Sequence, residues 1–400
     1  MSVRSDKLSI GRIIILSNVY DDQYPPLQSG EVVRCLSSAK RCDLFHALEV
    51  ASGRKVVVLS SPPQFFRKWS RAFTAPLACR FSTHEQFFCT GVNLPKIRFP
   101  ISWILYTLHV LRHVRNGDIL IIDNYELLYV LAARITRLFR RITIILDYED
   151  GKHLIDRGII RMISSLAEKL GRKMIDGCII ASPGLRERVP EGIPTEVVPG
   201  FCLPSVGTRL LEPGAPIRFL FSGSLDQTRG GDLLFDAVKL LPEEGWRLDV
   251  TGAIGEFAEK LSQLGDEERF RGKVRFHGSL PGVEYLMLVR ECHVGLNCQK
   301  SSDPISEVTF PSKVFSYLSQ ELHVISTRAS HVEAVCGQGC LYLDAETPEA
   351  LAAMMIRVIH NSSLELSKID TQEVSKRYSI ESTVERLALL LQKAITRSEQ

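Results

Sequence analysis

The chain has 400 residues, 45% of them apolar and 24% charged, with a formal net charge of +3. This is the composition of a folded protein with substantial cores, and it excludes disordered, collagen-like and disulfide-scaffold classes. At about 150 residues per domain, the length calls for two or three domains.

Met1 to Lys7 leads into the strand-like Ile13–Leu16 with no apolar signal core, so the expectation is a cytoplasmic chain that is neither secreted nor transmembrane. Further strands are expected at 55–59, 119–122, 142–146, 178–181 and 196–198, with helices at 127–139 and 157–174. Short β-rich runs alternating with amphipathic helices are the mark of a parallel sheet covered by helices. Between the second and third strands lies a basic stretch. Arg67, Lys68, Arg71, Arg80, Lys96, Arg98, Arg112 and Arg115 face only Glu85, with Phe65, Phe66, Trp69, Phe73, Phe87, Phe88, Trp103 and Ile104 interleaved. Such a surface suits an anionic membrane or a lipid-linked acceptor, and equally an ordinary solvated face over a core helix. The apolar run from Phe99 to Val110 is too short to span a bilayer. No nucleic-acid-binding motif accompanies the charge.

The alternation breaks at two Pro/Gly clusters, Pro199–Pro204 and Pro213–Pro216, which read as a hinge. It restarts with strands at 217–221, 247–250, 274–276, 294–296, 324–326 and 341–343, and helices at 230–241, 255–263, 283–290, 311–318, 347–360 and 380–395. The expected organisation is a Rossmann-like domain over 1–203, a linker over 204–216, a second Rossmann-like domain over 217–378, and a helix over 379–400 returning to the first domain. Both are doubly wound α/β domains, with ligands expected at the carboxyl ends of the strands and in the cleft between the domains. Charge is unevenly shared: residues 1–200 hold 28 Lys/Arg against 19 Asp/Glu, and residues 201–400 hold 21 against 27. Ten cysteines show no CxxC pair, and Cys336 and Cys340 have no His or second Cys pair at metal-ligand spacing. They read as free, largely buried thiols.

Two segments carry chemistry. In the first, a buried strand ends at Ser222-Gly223-Ser224, and Arg229-Gly230-Gly231 opens a helix. Gly-rich turns and helix N-termini present free N–H groups to phosphate, and an arginine adds a bidentate fork. In the second, a polar loop carries Glu307, Thr309 and Phe310 ahead of Pro311-Ser312-Lys313 and a helix containing Ser316. A carboxylate there can take sugar hydroxyls, and a lysine in a first helical turn gains nothing from the helix dipole, so capping does not explain Lys313. A tight turn with a solvated arginine, and a surface lysine, are the plain structural alternatives.

The order of these segments resembles the retaining glycosyltransferases of family four, glycosyl transferases group 1, which have the GT-B fold. The resemblance rests on Gly223-Ser-Leu, Arg229-Gly-Gly-Asp-Leu-Leu234, Val274-Arg-Phe-His-Gly-Ser-Leu280, Cys292–Leu296 and Pro311-Ser-Lys-Val-Phe-Ser-Tyr-Leu318. It implies a metal-independent transfer, with retention, of a sugar from a nucleotide-diphosphate donor to a glycan or lipid-linked acceptor. Arg229 and Lys313 would take the diphosphate and Glu307 the sugar hydroxyls. Gly223, Ser224, Gly230, His277, Gly278, Thr309, Phe310, Ser312 and Ser316 would line the donor site. Departures are Ser224 where the family has arginine, and Ser316 where it has the ribose-binding glutamate. In the first domain, Glu149 and Asp150 follow the strand at 142–146 and are expected to orient the reacting groups; Asp150 as a helix cap is the alternative. Gly30 would admit the acceptor side. No cofactor and no metal are expected, and surface polysaccharide or glycoconjugate synthesis is the expected setting, on the inner membrane face. A sugar-nucleotide epimerase of the same fold and a non-catalytic sugar-nucleotide or glycan-binding protein are the rival readings. A dehydrogenase is disfavoured, since neither domain has GxGxxG after its first strand.

Overall fold

The computed structural model describes residues 11–18, 38–61, 73–81, 83–92, 98–151, 156–202, 214–252, 256–280 and 282–400. Its contacts divide the chain into two units. One holds Met1–Ala181, Leu185–Val198 and Ile380–Gln400; the other holds Ser182–Gly184 and Pro199–Ser379.

The first unit is built on β1 (Ile13–Leu16), β2 (Val56–Ser60), β3 (Phe73–Thr74), β4 (Leu77–Arg80), β5 (Glu85–Phe88), β6 (Gly91–Val92), β7 (Ile119–Asp123), β8 (Thr143–Tyr148), β9 (Gly177–Ile180) and β10 (Thr195–Val197). Eight of these form a sheet in the order β10-β9-β8-β7-β1-β2-β5-β4, while β3 and β6 pair separately. All its pairs are parallel except β4–β5. β1, β7, β8 and β9 are buried at every position, as parallel strands covered on both faces must be. Four helices accompany them: α1 (Ser38–Ser52), α2 (Arg98–His113), α3 (Leu127–Phe139) and α4 (Gly158–Gly171). α2, α3 and α4 pack side by side, and α1 packs against the last helix of the chain, Ile380–Ser398, which also covers β8, β9 and β10.

The basic stretch from Arg67 to Arg115, where described, is part surface and part core. Strand pairing is the reason: Glu85–Phe88 pairs antiparallel with Leu77–Arg80, so alternate residues turn inward and Phe88 is buried. Arg80 is exposed beside Glu85 at 3.5 Å. Arg67, Lys68, Arg71, Lys96, Phe65, Phe66 and Trp69 lie outside the described residues.

The second unit contains β11 (Ile217–Ser222), β12 (Trp246–Thr251), β13 (Val274–Phe276), β14 (Val294–Asn297), β15 (His323–Ser326) and β16 (Leu341–Tyr342). They form one parallel sheet in the order β13-β12-β11-β14-β15-β16. Its helices are α5 (Gly231–Lys239), α6 (Glu256–Asp266), α7 (Gly282–Glu291), α8 (Ile305–Val308), α9 (Lys313–Leu318), α10 (Val332–Cys336), α11 (Pro348–His360), α12 (Ser362–Leu366) and α13 (Gln372–Arg377); α14 is Ile380–Ser398 in the first unit. Two apolar clusters hold the sheet. One joins Phe219, Phe221 and Leu234 to α11, and the other gathers Leu220, Phe315 and Tyr317 around Val324. Cys336 and Cys340 are buried in the second cluster. Among the described residues, no helix is long and apolar enough to cross a membrane.

Candidate functional site

In the second sheet, the chain's first strand, β11, has β12 on one side and β14 on the other. The strand order reverses there, the place where the carboxyl edge of a doubly wound sheet commonly takes a ligand. The loops after β11 and β14 meet at Gly230. Its φ is +77°, and a Cβ added there would lie 1.9 Å from the Cys298 carbonyl oxygen, so only glycine permits this approach. Next to it, the Arg229 guanidinium donates to Gln299 Oε1 at 2.6 Å. Gln299 is fully buried, and its amide nitrogen donates to Ser306 Oγ and Ser330 Oγ at 3.0 and 2.6 Å. A saturated buried amide therefore fixes the arginine. Lys300 forms an ion pair with Asp232 in the first turn of α5, again tying one loop to the other.

Lys313 opens α9, and its ammonium lies 4.0 Å from the centre of the Phe221 ring. Among the described residues it has a π face but no carboxylate within ion-pair distance. Burial, reinforced by the nearby Arg229 charge and opposed by Cys298 and Asp226, pulls its pKa down to about 8. Asp226 is committed elsewhere: it accepts from Ser224 Oγ, Thr228 Oγ1 and the Arg229 N–H at 2.7, 2.6 and 2.9 Å. Burial pushes its pKa up, but these bonds outweigh burial and hold it below the ordinary value. Among the described residues, Arg229 and Lys313 thus stand together as neighbouring cations without neutralising partners.

A chain of hydroxyls, unforeseen in the sequence, runs beside them. The Ser222 N–H donates to the Tyr317 hydroxyl at 2.8 Å, which also meets Ser222 Oγ at 2.9 Å. Ser222 Oγ meets the Tyr285 hydroxyl at 3.2 Å, and that hydroxyl meets Ser316 Oγ at 3.1 Å. At the edge of β12, a Cβ on Gly252 would fall 1.9 Å from the Gly223 carbonyl oxygen, and the Gly252 N–H donates to the Gly278 carbonyl at 2.9 Å. Gly223, Gly252 and Gly278 therefore bring three strand ends close together. Glu307, on the single turn α8, and Ser312, just before α9, are exposed.

Three side chains expected at the donor are committed elsewhere. Thr309 gives both its N–H and its hydroxyl to the Ile305 carbonyl, at 3.0 and 2.8 Å. Phe310 is in the core, 5.2 Å from Phe315. The His277 ring bonds Asp249 at 2.7 Å, inside a buried cluster with Arg218. The helix expected from Pro311 is also shorter, starting at Lys313 and spanning six residues. That leaves little dipole to add to the lysine charge.

In the first unit, β1 lies between β2 and β7, so the strand order reverses there as well. Ser17, after β1, donates to Asp123 at 2.8 Å, and Arg41 pairs with Asp123 at 2.7 Å. Lys40 reaches both oxygens of Glu149 at 2.7 Å. Asn124, at φ +51°, accepts from the N–H groups of Glu149 and Asp150, both at 2.9 Å, and so shapes that loop. Asp150 is distant in sequence from the start of α4 at Gly158 and does not cap it. Asp147 is buried between these groups, and one of its carboxyl oxygens has no hydrogen-bond partner among the described residues. Burial first, then the charges of Glu149 and Asp123, raise its pKa well above the ordinary value, against Arg41 and Lys40. Gly30 lies outside the described residues. Among the described residues no cluster of three or more His, Cys, Asp or Glu side chains is arranged to hold a metal.

Residues 216–361 match a family model described as Glycosyl transferases group 1. No curated protein matches the chain. Among solved structures, the chain is similar to sucrose-phosphate synthase from Thermosynechococcus elongatus, at 14% identity and a TM-score of 0.66, covering 96% of this chain and 98% of that one. It is similar to HepE from Anabaena in complex with UDP, at 13% identity and a TM-score of 0.64, covering 96% and 100%. A third is the UDP-forming α,α-trehalose-phosphate synthase from Burkholderia xenovorans in complex with glucose-6-phosphate, at 11% identity and a TM-score of 0.66, covering 96% and 100%. At these identities the likeness establishes the fold, which is GT-B.

Proposed function

We propose that this chain, whose residues 216–361 match the glycosyl transferases group 1 model, is a glycosyltransferase that moves a sugar from a nucleotide-diphosphate donor to a glycan or lipid-linked acceptor, with retention and without a metal. The observation that carries this reading is the pair Arg229 and Lys313. Two cations held close, one of them enclosed over an aromatic ring and lacking an ion-pair partner among the described residues, are costly unless an anion completes them. A diphosphate is such an anion, and UDP is bound by the similar HepE.

Breaking the bond from the sugar C1 to the phosphate oxygen builds negative charge on the leaving diphosphate. Arg229 and Lys313 would stabilise that charge, with N–H groups at the start of α5 assisting. The acceptor hydroxyl forms the new bond to C1 from the face the phosphate leaves, and its proton passes to the departing phosphate oxygen. Glu307, exposed beside this site, would take sugar hydroxyls. Ser316 and Tyr285 offer hydroxyls to the ribose. We assign Glu149 and Asp150 of the first unit to orienting the reacting groups, Glu149 being held by Lys40.

The test is a thermal-shift panel of UDP-, GDP-, ADP- and CMP-sugars. One donor at about a hundredfold excess over Kd should stabilise the parent by about 2–3 kcal/mol. Arg229→Ala and Lys313→Ala should each remove that response while retaining a cooperative melt. Two variants that respond like the parent would sink the phosphate assignment. Release of labelled sugar from the donor only when acceptor is present separates transfer from epimerisation and from simple binding.

A further inference from the structure

We propose that the outer face of α3 and α4 is a docking surface for an anionic lipid bilayer. α4 stands largely clear of the sheet. Every residue from Gly158 to Ile163 is exposed, and only Ala167, Glu168 and Gly171 are buried. The exposed part carries Ile159, Ile160, Met162, Ile163 and Leu166, which are 69%, 59%, 66%, 42% and 50% exposed. Residues 159, 163 and 166 stack at helical spacing, with 162 beside them, so the apolar side chains form one stripe along the helix. α3, which packs against α4, also exposes Leu138 and Phe139, at 77% and 64%, but at its C-terminal end, away from the first turns of α4. Soluble surfaces scatter such residues singly; consecutive turns of them mark an interaction face.

The charge around the stripe identifies the partner. Over residues 127–141 and 157–173, every exposed charged residue is basic: Arg134, Arg140, Arg141, Arg157, Arg161, Lys169, Arg172 and Lys173. The acid of α4, Glu168, is buried beside Arg172. Isoleucine, methionine and leucine on one side of a helix, with arginine and lysine flanking them, is the pattern of a helix lying in the interface of a bilayer with anionic headgroups. A second copy of this chain would bring the same positive charge to this face and be repelled. The basic stretch at 67–115 suggested a membrane contact from sequence; the contact proposed here rests on α4 instead. α4 follows β8, so its free first turns belong to the carboxyl edge that carries Glu149 and Asp150. Docking there would set that edge toward the lipid, whatever reaction the chain performs.

The test is co-sedimentation of the full chain with vesicles of phosphatidylcholine alone or with about 30% phosphatidylglycerol, at low and at about 0.5 M salt. The expected result is binding to the anionic vesicles, weakened at least about tenfold by the salt and by Arg157→Glu/Arg161→Glu. Ile159→Asp/Ile163→Asp should abolish binding with little change in Tm, because both side chains are exposed. No preference for anionic vesicles, or a double aspartate variant that binds like the parent, overturns the proposal. So does self-association of the parent that the same variants abolish in the absence of lipid. Nucleotide-sugar stabilisation, measured separately, stays unaffected in these variants, so docking and donor binding fail independently.

Discussion

The two sheets reverse strand order at equivalent places, yet they handle charge in opposite ways at those places. In the second unit, Arg229 and Lys313 stay without ion-pair partners among the described residues, and the nearest acid, Asp226, is occupied by hydroxyls and a peptide N–H. In the first, Arg41 and Lys40 are paired with Asp123 and Glu149, and a further carboxyl, Asp147, is buried among them. One crevice keeps cations that no carboxylate pairs among the described residues, Lys313 enclosed over the Phe221 ring. The other has already neutralised its cations and is left with polar, directional groups, which suits a ligand rich in hydroxyls rather than charge. Identical topology fixes where a ligand sits; the side chains decide what kind it is.

The comparison breaks most directly in the second crevice. Removing both cations, Arg229→Ala with Lys313→Ala, should lower kcat/KM by about 1000-fold or more while each single variant costs about 100-fold, since both act on the same developing charge. Steady-state kinetics with the donor named by the thermal-shift panel checks this. A double variant within about tenfold of the parent would show that the charge is stabilised elsewhere.

The same crevice should show a pH signature. With its pKa lowered to about 8 in the free protein, Lys313 is charged at neutral pH and loses its proton as pH rises through that value. The lowered pKa also means that the free fold gains stability as pH climbs from about 8 toward the ordinary 10.5, because the buried ammonium is relieved of its charge. Donor affinity should therefore be level below about pH 8 and fall about tenfold per pH unit above it, with proton uptake on binding in that range. Calorimetry in buffers of different ionisation enthalpy reads the uptake. Affinity that stays level to about pH 10 in the parent would exclude Lys313 as the titrating contact.

What could be read beforehand divides along the same lines. Runs such as Ile13–Leu16 and Ile119–Ile122 are buried on both faces, so their local composition alone announces a central parallel strand. The two cations could be singled out beforehand because each sits in a turn at a helix start, where capping does not explain the lysine. Helix α1 escaped notice because its apolar side chains follow no clear stripe, and β4–β5 because aromatic residues among arginines read as surface. Gln299, Tyr285 and Asn124 were invisible for a deeper reason: each bonds a partner far away in the chain, such as Arg229 with Gln299, and only the strand order brings such pairs together. His277 shows the same limit: its loop position could be read, but the bond from its ring to Asp249 on the neighbouring strand could not.

The first crevice yields smaller effects. Lys40→Met leaves Glu149 without its ion-pair partner and should lower stability by about 2–3 kcal/mol in urea melts at neutral pH. If its stability matches the parent's, the pair holds no structural weight and Glu149 is free to act alone.

Asp147→Asn should move stability the other way, by about 1 kcal/mol. The raised pKa means that the folded state holds the proton more tightly than the unfolded chain, whose aspartate titrates near 3.8. The stability this contributes is complete below that value and diminishes as pH rises above it, because the folded parent must either keep the proton or bury a charge. An asparagine is neutral throughout and keeps the shape, so the variant should melt higher than the parent at about pH 7 and lose its advantage near about pH 4. A variant that is instead destabilised at neutral pH would mean that Asp147 is ionised and held by Lys40 and Arg41. The first crevice would then be a balanced set of charges rather than one with a neutral carboxyl at its centre.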